Sequence, residues 1–556
     1  MPRDDHIDKP YLPNRKDFHL EKGTIVKSLM KKVFAAAAAI ATVFGLAATT
    51  VATANAADNA TLTVSTTDAK FAGKTVNAYK MFSATVSGDG KAVSYTLTDE
   101  WKPFFMNPAA SGLTGTDVTD ENVSDKAYDY VSGLKNNANA LVAFATKASN
   151  WAQTKTNNIK TGVTTTVSTV AADGKYTATF TGLDYGYYVV AVPGATLANA
   201  SGQYATLVSV DSPTVDTTIK GNLPTVVKKV NGESATSAKI GDTLTFTLTS
   251  TIPDMSAYDT YTFNFKDTLS KGLTFGQVDS VKVGDTTLTK DTDYTVTTST
   301  VSDSTLLTVT MLNFKDKQQT NAGKTITVTY KATLNKDAVV GGHGNTNSAT
   351  IQYSNNPSAG GTGDSEPSKV RVFTYGFTVD KYTGDKYNDA ATRLAGAEFT
   401  LAPKNGAAIS FVKVAAGSAT ENAVYRVAKA GETGATTTIT TPANGKVVFQ
   451  GLKNGEYTLT ETKAPAGYNK LASAIGVKVN GQNDGTDTTN ATVTITYNND
   501  NGSSYNQTAS NGVIPVQNKS GAILPDTGGM GTIAFTVIGV LVIALGVAWT
   551  LKRKNA

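Results

Sequence analysis

From residue 57 to residue 520 the chain alternates between polar and apolar side chains with period two, and Gly, Asn, Asp or Pro interrupts the pattern about every 8 to 12 residues. Thr243-Leu244-Thr245-Phe246-Thr247-Leu248-Thr249 and Thr325-Ile326-Thr327-Val328-Thr329-Tyr330 are representative. Successive side chains of a strand point to opposite faces, so each run buries one face and leaves the other polar. Repeated at this spacing, the pattern predicts a mainly β chain of tandem immunoglobulin-like β-sandwich domains. One stretch departs from it. Val123 to Ala152 carries Ala, Leu, Tyr and Trp at three-to-four spacing with few β-branched residues, which predicts one or two helices inserted in the first domain. Pro224 and the Gly/Ser/Pro-rich segment from Pro357 to Pro367 punctuate the run. They divide it into domains at 57–220, 222–368 and 370–520, between a leader at 1–56 and a terminal segment at 521–556. Strand-rich modules on short linkers imply an elongated rod, with little room for a deep active site, although its loops can bind ligands.

Composition narrows the function further. Of 50 basic and 45 acidic residues, the first 56 positions hold 8 and 5, and those after Thr527 hold 3 and 0. The body between carries 39 and 40, so its charge is near zero and no nucleic-acid partner is expected. Cysteine is absent, which leaves core packing, metal or another crosslink to hold an extracellular protein together. His343 is the single histidine outside the leader, which excludes His-based metal clusters and argues against a Ser/His/Asp or Cys/His hydrolase. Asn480-Gly481-Gln482-Asn483-Asp484-Gly485 lacks the alternating ligands and terminal Glu of a calcium loop and reads as a hairpin turn. Neither a cofactor, nor a metal site, nor an enzymatic activity is expected.

Both ends carry targeting signals. Lys31-Lys32, the apolar stretch from Val33 to Val51 and Ala54-Asn55-Ala56 form a secretory signal peptide with a small-x-small cleavage site. The polar residues before Met30 fit no part of it, so the leader is unusually long or translation starts at Met30. At the other end Leu524-Pro525-Asp526-Thr527-Gly528 precedes an apolar run from Thr532 to Leu551 and then Lys552-Arg553-Lys554. The run has the length of a membrane-crossing helix, and the basic cluster would stay on the cytoplasmic side. Pro525 keeps the pentapeptide extended and accessible. This pattern resembles the cell-wall sorting signal of gram-positive surface proteins. The resemblance implies that a sortase cuts between Thr527 and Gly528 and passes the Thr527 acyl group to an amine.

The third domain contains Phe377-Thr378-Val379-Asp380-Lys381, Leu394-Ala395-Gly396-Ala397-Glu398-Phe399, a run from Tyr457 to Tyr468 that includes Glu461-Thr462-Lys463-Ala464-Pro465, and Val516-Gln517-Asn518. It closely resembles the collagen-adhesin B-type domain of gram-positive adhesins and pilins. The resemblance implies an isopeptide bond between Lys381 and Asn518, with Glu461 as the assisting acid. The chemistry is sound, because burial pushes a lysine toward its neutral amine and a carboxyl toward its protonated form. Lys381 can then attack the Asn518 amide while Glu461 polarises it and shuttles protons. The middle domain, with Pro224-Thr225-Val226-Val227-Lys228-Lys229-Val230, Lys266-Asp267-Thr268-Leu269 and Asn345-Thr346-Asn347-Ser348, looks like the middle domain of shaft pilins. Carried over, that gives Lys228, Asn347 and the acid Asp267. Lys229 points to the opposite face from Lys228, whereas Asn345 lies on the same side as Asn347. Either lysine and either asparagine remains open at this level, as does a bond in the first domain. Ties between first and last strands would stand in for the missing disulfides under tension.

The first domain, with Asn77-Ala78-Tyr79-Lys80-Met81-Phe82 and Gly182-Leu183-Asp184-Tyr185-Gly186-Tyr187-Tyr188-Val189-Val190, is similar to the N-terminal domain of fimbrial shaft subunits. Over its full length the chain resembles the major backbone subunit of sortase-assembled pili. That implies a structural subunit of a covalent surface pilus (fimbria), in which Thr527 of one subunit joins a lysine of the next through a pilus-specific sortase. A housekeeping sortase then attaches the fibre to peptidoglycan. Lys220 occupies the acceptor position just before the middle domain, although Thr218-Ile219 stands where the family has Tyr-Pro. Minor pilins and a host surface ligand are further partners of this class. The alternative is a monomeric wall-anchored adhesin with the same domains and no acceptor lysine.

Overall fold

The computed structural model describes residues 59–554 except 116, 158, 161–162, 196–204, 356–359, 388, 482–491, 500–503 and 522–529. The leader, the pentapeptide Leu524–Gly528 and the turn after Gly481 therefore lie outside the described residues. Three pairs of sheets account for the strands.

In the first pair, Ala60–Thr66 lies between Tyr176–Leu183 and Thr214–Thr218, facing a sheet ordered Val93–Leu97, Thr75–Val86, Gly186–Ala191, Ala205–Val210. The helical insertion covers the outer face of the second sheet, with α-helices at Val123–Gly133 and Ala138–Gln153 joined by a short 3-10 turn. Two short helices precede them, Lys102–Phe105 and Pro108–Ser111, which the period-two reading does not anticipate. Their signals are local. Pro108 sits at a first-turn position, where a missing N–H costs nothing, and the Asn107 side chain accepts a hydrogen bond from the Ala110 N–H. The insertion makes a second core in which Trp101, Phe104, Phe105 and Phe144 pack against Met81, Phe82, Tyr187 and Val189 of the sheet.

The middle pair sets a five-stranded sheet, containing Val227–Val230, Thr243–Thr251 and Thr325–Leu334, against a seven-stranded one containing Phe263–Leu269, Asn345–Ser354 and Ser368–Phe373. The third pair sets Tyr375–Tyr382, flanked by Lys446–Leu452 and Val513–Gln517, against a sheet built on Glu398–Pro403, Gly455–Lys463 and Ile475–Gly481.

The break expected between 368 and 370 falls inside a strand. Ser368–Phe373 pairs antiparallel with Asn345–Ser354 of the middle domain, and Tyr375–Tyr382 opens the third. Thr374 alone separates them, fully buried, its hydroxyl donating to the Leu452 carbonyl at 3.1 Å. Nearby, Ile240 N–H donates to the Gly451 carbonyl, and a Cβ on Gly451 (φ +88) would come within 2.7 Å of the Ile240 side chain. Past the third domain, Met530–Lys554 forms a helix, and its stretch from Phe535 is long and apolar enough to cross a membrane.

Trp101 is fully buried and meets Phe104 edge to face at 5.4 Å. Trp101→Ala should destabilise the first domain by about 3–5 kcal/mol. In a urea titration of the exported chain the first-domain transition should move to lower denaturant while the others hold.

Candidate functional site

Val227–Val230 turns Lys228 and Val230 inward and Lys229 outward. Lys228 is 2% exposed, whereas the Lys229 ammonium reaches the Ser234 hydroxyl at the surface. Phe263–Leu269 turns Asp267 inward on the same alternation, and Asn345–Ser354 does so for both Asn345 and Asn347. Lys228 comes from one sheet and Asp267 and Asn347 from the facing one. The Lys228 ammonium contacts the Asp267 carboxylate directly, with neither side chain exposed.

Tyr330, on Thr325–Leu334, completes this cluster. Its hydroxyl donates to Asp267 Oδ2 at 2.6 Å and accepts from Lys228 Nζ at 3.0 Å and from Asn347 Nδ2 at 2.6 Å. In sequence Tyr330 ends an alternating run and looks like another core residue. The available signal was a hydroxyl at an inward position, which a dry core tolerates only with a polar partner. Asn345 is equally buried but otherwise engaged: it exchanges hydrogen bonds with the Val339 N–H and carbonyl and donates to the Val372 carbonyl. It fastens the preceding loop, and a Cβ on Gly272 would overlap its Oδ1. The strand of Asn347 is also not the last of its domain, since Ser368–Phe373 follows it.

In the third domain Lys381 lies on Tyr375–Tyr382, whose parallel neighbour Val513–Gln517 runs directly into Asn518. The Asn518 N–H donates to the Tyr382 carbonyl at 3.0 Å, so the two strands bring Lys381 and Asn518 inward side by side. Glu461 enters from the facing sheet. Its Oε1 lies 3.1 Å from Lys381 Nζ, and its Oε2 accepts from Asn518 Nδ2 at 3.0 Å and from the Leu471 N–H at 2.8 Å. Lys381 Nζ also sits 5.7 Å from the centroid of the Phe399 ring.

Burial dominates the electrostatics of both lysines. It lowers Lys228 to about 8 against the opposing pull of Asp267, and Lys381 to about 8 against that of Glu461. Burial, then the Asp267 charge, push the Tyr330 phenol well above its ordinary value, so it keeps its proton. Among the described residues, eleven buried side-chain polar atoms have no hydrogen-bond partner, and five belong to these clusters: Asp267 Oδ1, Asn347 Oδ1, Lys381 Nζ, Glu461 Oε1 and Asn518 Oδ1. Each such buried atom calls for an explanation beyond ordinary packing.

The first domain has no counterpart among the described residues. Its buried polar groups include no lysine, and Lys80 pairs with Asp184 at a partly exposed position. Lys220 follows Thr214–Thr218 in the connection to the middle domain, half-buried, with its neighbour Ile219 donating a backbone hydrogen bond to Ser65. Thr527 lies outside the described residues. Among those residues no group of three or more His, Cys, Asp and Glu side chains could hold a metal ion.

These features define a chain of β-sandwich domains followed by a helix long and apolar enough to cross a membrane. Family models make the class specific. Residues 240–357 match the Cna-B-like domain of Gram-positive pilin backbone subunit 2, residues 380–495 the SpaA prealbumin-like fold domain, and residues 516–556 the LPXTG cell wall anchor motif. The chain thus combines modules of Gram-positive pilin backbones with a cell wall anchor motif, as a secreted protein anchored to the cell wall. It is 25% identical over 280 residues to the trypsin-resistant surface T6 protein of Streptococcus pyogenes serotype M6, covering 45% of this chain and 44% of that one. The chain therefore spans less than half the length of that curated relative. Similar solved structures include the T6 backbone pilin of serotype M6 Streptococcus pyogenes (19% identity, TM-score 0.44, 84% of this chain and 100% of that one). Another is the major pilin SpaA of Corynebacterium diphtheriae (15% identity, TM-score 0.43, 83% of this chain and 100% of that one).

The lowered lysines make stability depend on pH when the domains are not crosslinked. An unfolded lysine holds its proton to about 10.4, while folded Lys381 releases it at about 8. Between these values the unfolded state binds more protons, so stability rises with pH, and the gain is lost as pH falls through about 8. The urea midpoint of Asn518→Ala should therefore rise from pH 8 to about pH 10 relative to Asn518→Ala combined with Lys381→Met. Parallel curves for the two variants would contradict the lowered value.

Proposed function

We propose that this chain is the structural subunit of a covalent surface pilus, crosslinked within its middle and third domains and polymerised by a sortase. The observation that carries the reading is the pair of buried lysine, carboxyl and amide clusters in the domains that carry the pilin-type modules of a wall-anchored chain. In each cluster the neutral lysine amine attacks Cγ of the asparagine. The new Nζ–Cγ bond forms as the Cγ–Nδ2 bond breaks, and one ammonia leaves. Lys228 joins Asn347 with Asp267 assisting, and Lys381 joins Asn518 with Glu461 assisting. Proximity supplies most of the acceleration, because partners fixed in a close-packed core cannot diffuse apart.

Between subunits, a sortase cleaves after Thr527 and transfers its acyl group to the Lys220 amine of the next chain. Lys220 suits this role because it lies between domains rather than inside one, and among the described residues its ammonium has no hydrogen-bond or ion-pair partner. A final transfer to peptidoglycan anchors the fibre.

Boiled cell-wall extracts of the native host should give a high-mass ladder on a denaturing gel, and Lys220→Ala should collapse it to monomer. A ladder that survives the substitution assigns the acceptor elsewhere, and no ladder in either strain supports the monomeric adhesin. Intact mass of the exported chain should fall short by two ammonias, and by one in either Asp267→Ala or Glu461→Ala.

A further inference from the structure

The two clusters differ in how the acid reaches the amide that must leave. In the third domain Glu461 Oε2 touches Asn518 Nδ2 directly at 3.0 Å. In the middle domain Asn347 Nδ2 bonds instead to the Tyr330 hydroxyl, and that hydroxyl in turn bonds to Asp267 Oδ2. Asp267 Oδ1 and Asn347 Oδ1 have no hydrogen-bond partner. The hydrogen-bonded path between acid and leaving nitrogen thus runs through a phenol.

We propose that Tyr330 is a catalytic residue of the middle-domain crosslink, carrying a proton between Asp267 and the departing nitrogen of Asn347. The proposal rests on the reading of Lys228 and Asn347 as bond partners. As Lys228 Nζ bonds to Asn347 Cγ, one Nζ proton passes to the adjoining Asp267 Oδ2. As the Cγ–Nδ2 bond breaks, Nδ2 takes the Tyr330 hydroxyl proton, and Asp267 returns its proton to the phenolic oxygen in the same event. Ammonia departs, and Asp267 and Tyr330 end as they began. No cofactor or oxidant enters the balance.

The placement suits a relay. Tyr330 is fully buried, pairs in register with Phe246 across the strands, and stacks on it at 5.2 Å with the rings 11° from parallel. That stacking and the burial fix the ring, so the hydroxyl keeps one position among three partners. Because the route contains a second transfer, the middle bond depends on a residue type for which the third domain has no need.

The test follows the exported chain after cell-free synthesis, reading intact mass and the Lys228–Asn347 crosslinked peptide over time. Tyr330→Phe should form that peptide roughly 10²-fold more slowly, while the Lys381–Asn518 peptide appears at the wild-type rate. Wild-type kinetics in Tyr330→Phe would overturn the relay. A wild-type chain with no Lys228–Asn347 peptide would instead sink the underlying bond assignment, so the two failures are distinguishable. A ring-fluorinated tyrosine at 330 preserves packing while making the phenol more acidic. The rate of Lys228–Asn347 bond formation should then change, and an unchanged rate would overturn the relay even if Tyr330→Phe fails to fold.

Discussion

Lys228 and Lys381 each place an ammonium group in a fully buried core beside a carboxylate, and the surrounding domain has to compensate for both charges. Withdrawing an ion from water costs several kcal/mol even after relaxation, and a pair offsets that only with good geometry and complete hydrogen bonding. Neither cluster has complete hydrogen bonding, as the Asp267 Oδ1, Asn347 Oδ1 and Asn518 Oδ1 atoms without a hydrogen-bond partner show. The same penalty lowers the lysines toward the neutral amine, which is the nucleophilic form. On the proposed reading, what destabilises the domain would also prepare it to react. Condensation would replace a buried titratable amine by a neutral amide and relieve the penalty as it ties the strands.

The domains that hold the clusters are not loosely strung. Ser368–Phe373 belongs to the middle sheet and Tyr375–Tyr382 to the third, with one buried residue between them. Ile240 against Gly451, and the Asn454 N–H donating to the Ser237 hydroxyl, hold the same junction from the side. The first and middle domains are joined by Asn150 donating to the Ser256 hydroxyl at 2.7 Å and by Thr154 donating to the Ala257 carbonyl. A pull along the chain at Thr374 passes from one strand into the next with no slack linker to absorb it, so it reaches Lys381 seven residues on.

How much of this was legible in the sequence depends on which physical rule the residue obeys. Period two separates Lys228 from Lys229, because neighbours on a strand must face opposite ways, and the buried member is Lys228. The same rule cannot separate Asn345 from Asn347, which share a face. The difference lies in the loop that returns past Val339 and occupies the Asn345 amide, a tertiary event that no local pattern encodes. Tyr330 was hidden for the opposite reason, since its aromatic ring satisfies the core alternation and only its hydroxyl belongs to the site. The misplaced break near 368 follows from reading Gly, Ser and Pro as a domain end. Thr362–Asp364 within that stretch forms a short strand on Asn345–Ser354, and Val370-Arg371-Val372-Phe373 continues the sheet.

A crosslink made this way is also conditional on folding in a manner that a disulfide is not. Cysteines can pair in partly folded chains and reshuffle by thiolate exchange. An amide does not react with an amine in water at a useful rate, and only the assembled core supplies the lowered lysine, the acid and the alignment together. In the third domain that assembly requires Val513–Gln517 to dock in parallel register on Tyr375–Tyr382, the pairing most distant in sequence within that domain. In the middle domain it requires both sheets to close over Lys228, with Tyr330 seated between Asp267 and Asn347. The bond would therefore form last, after the contacts it secures. A chain that had mispaired its strands would lack the geometry to lock the error in place.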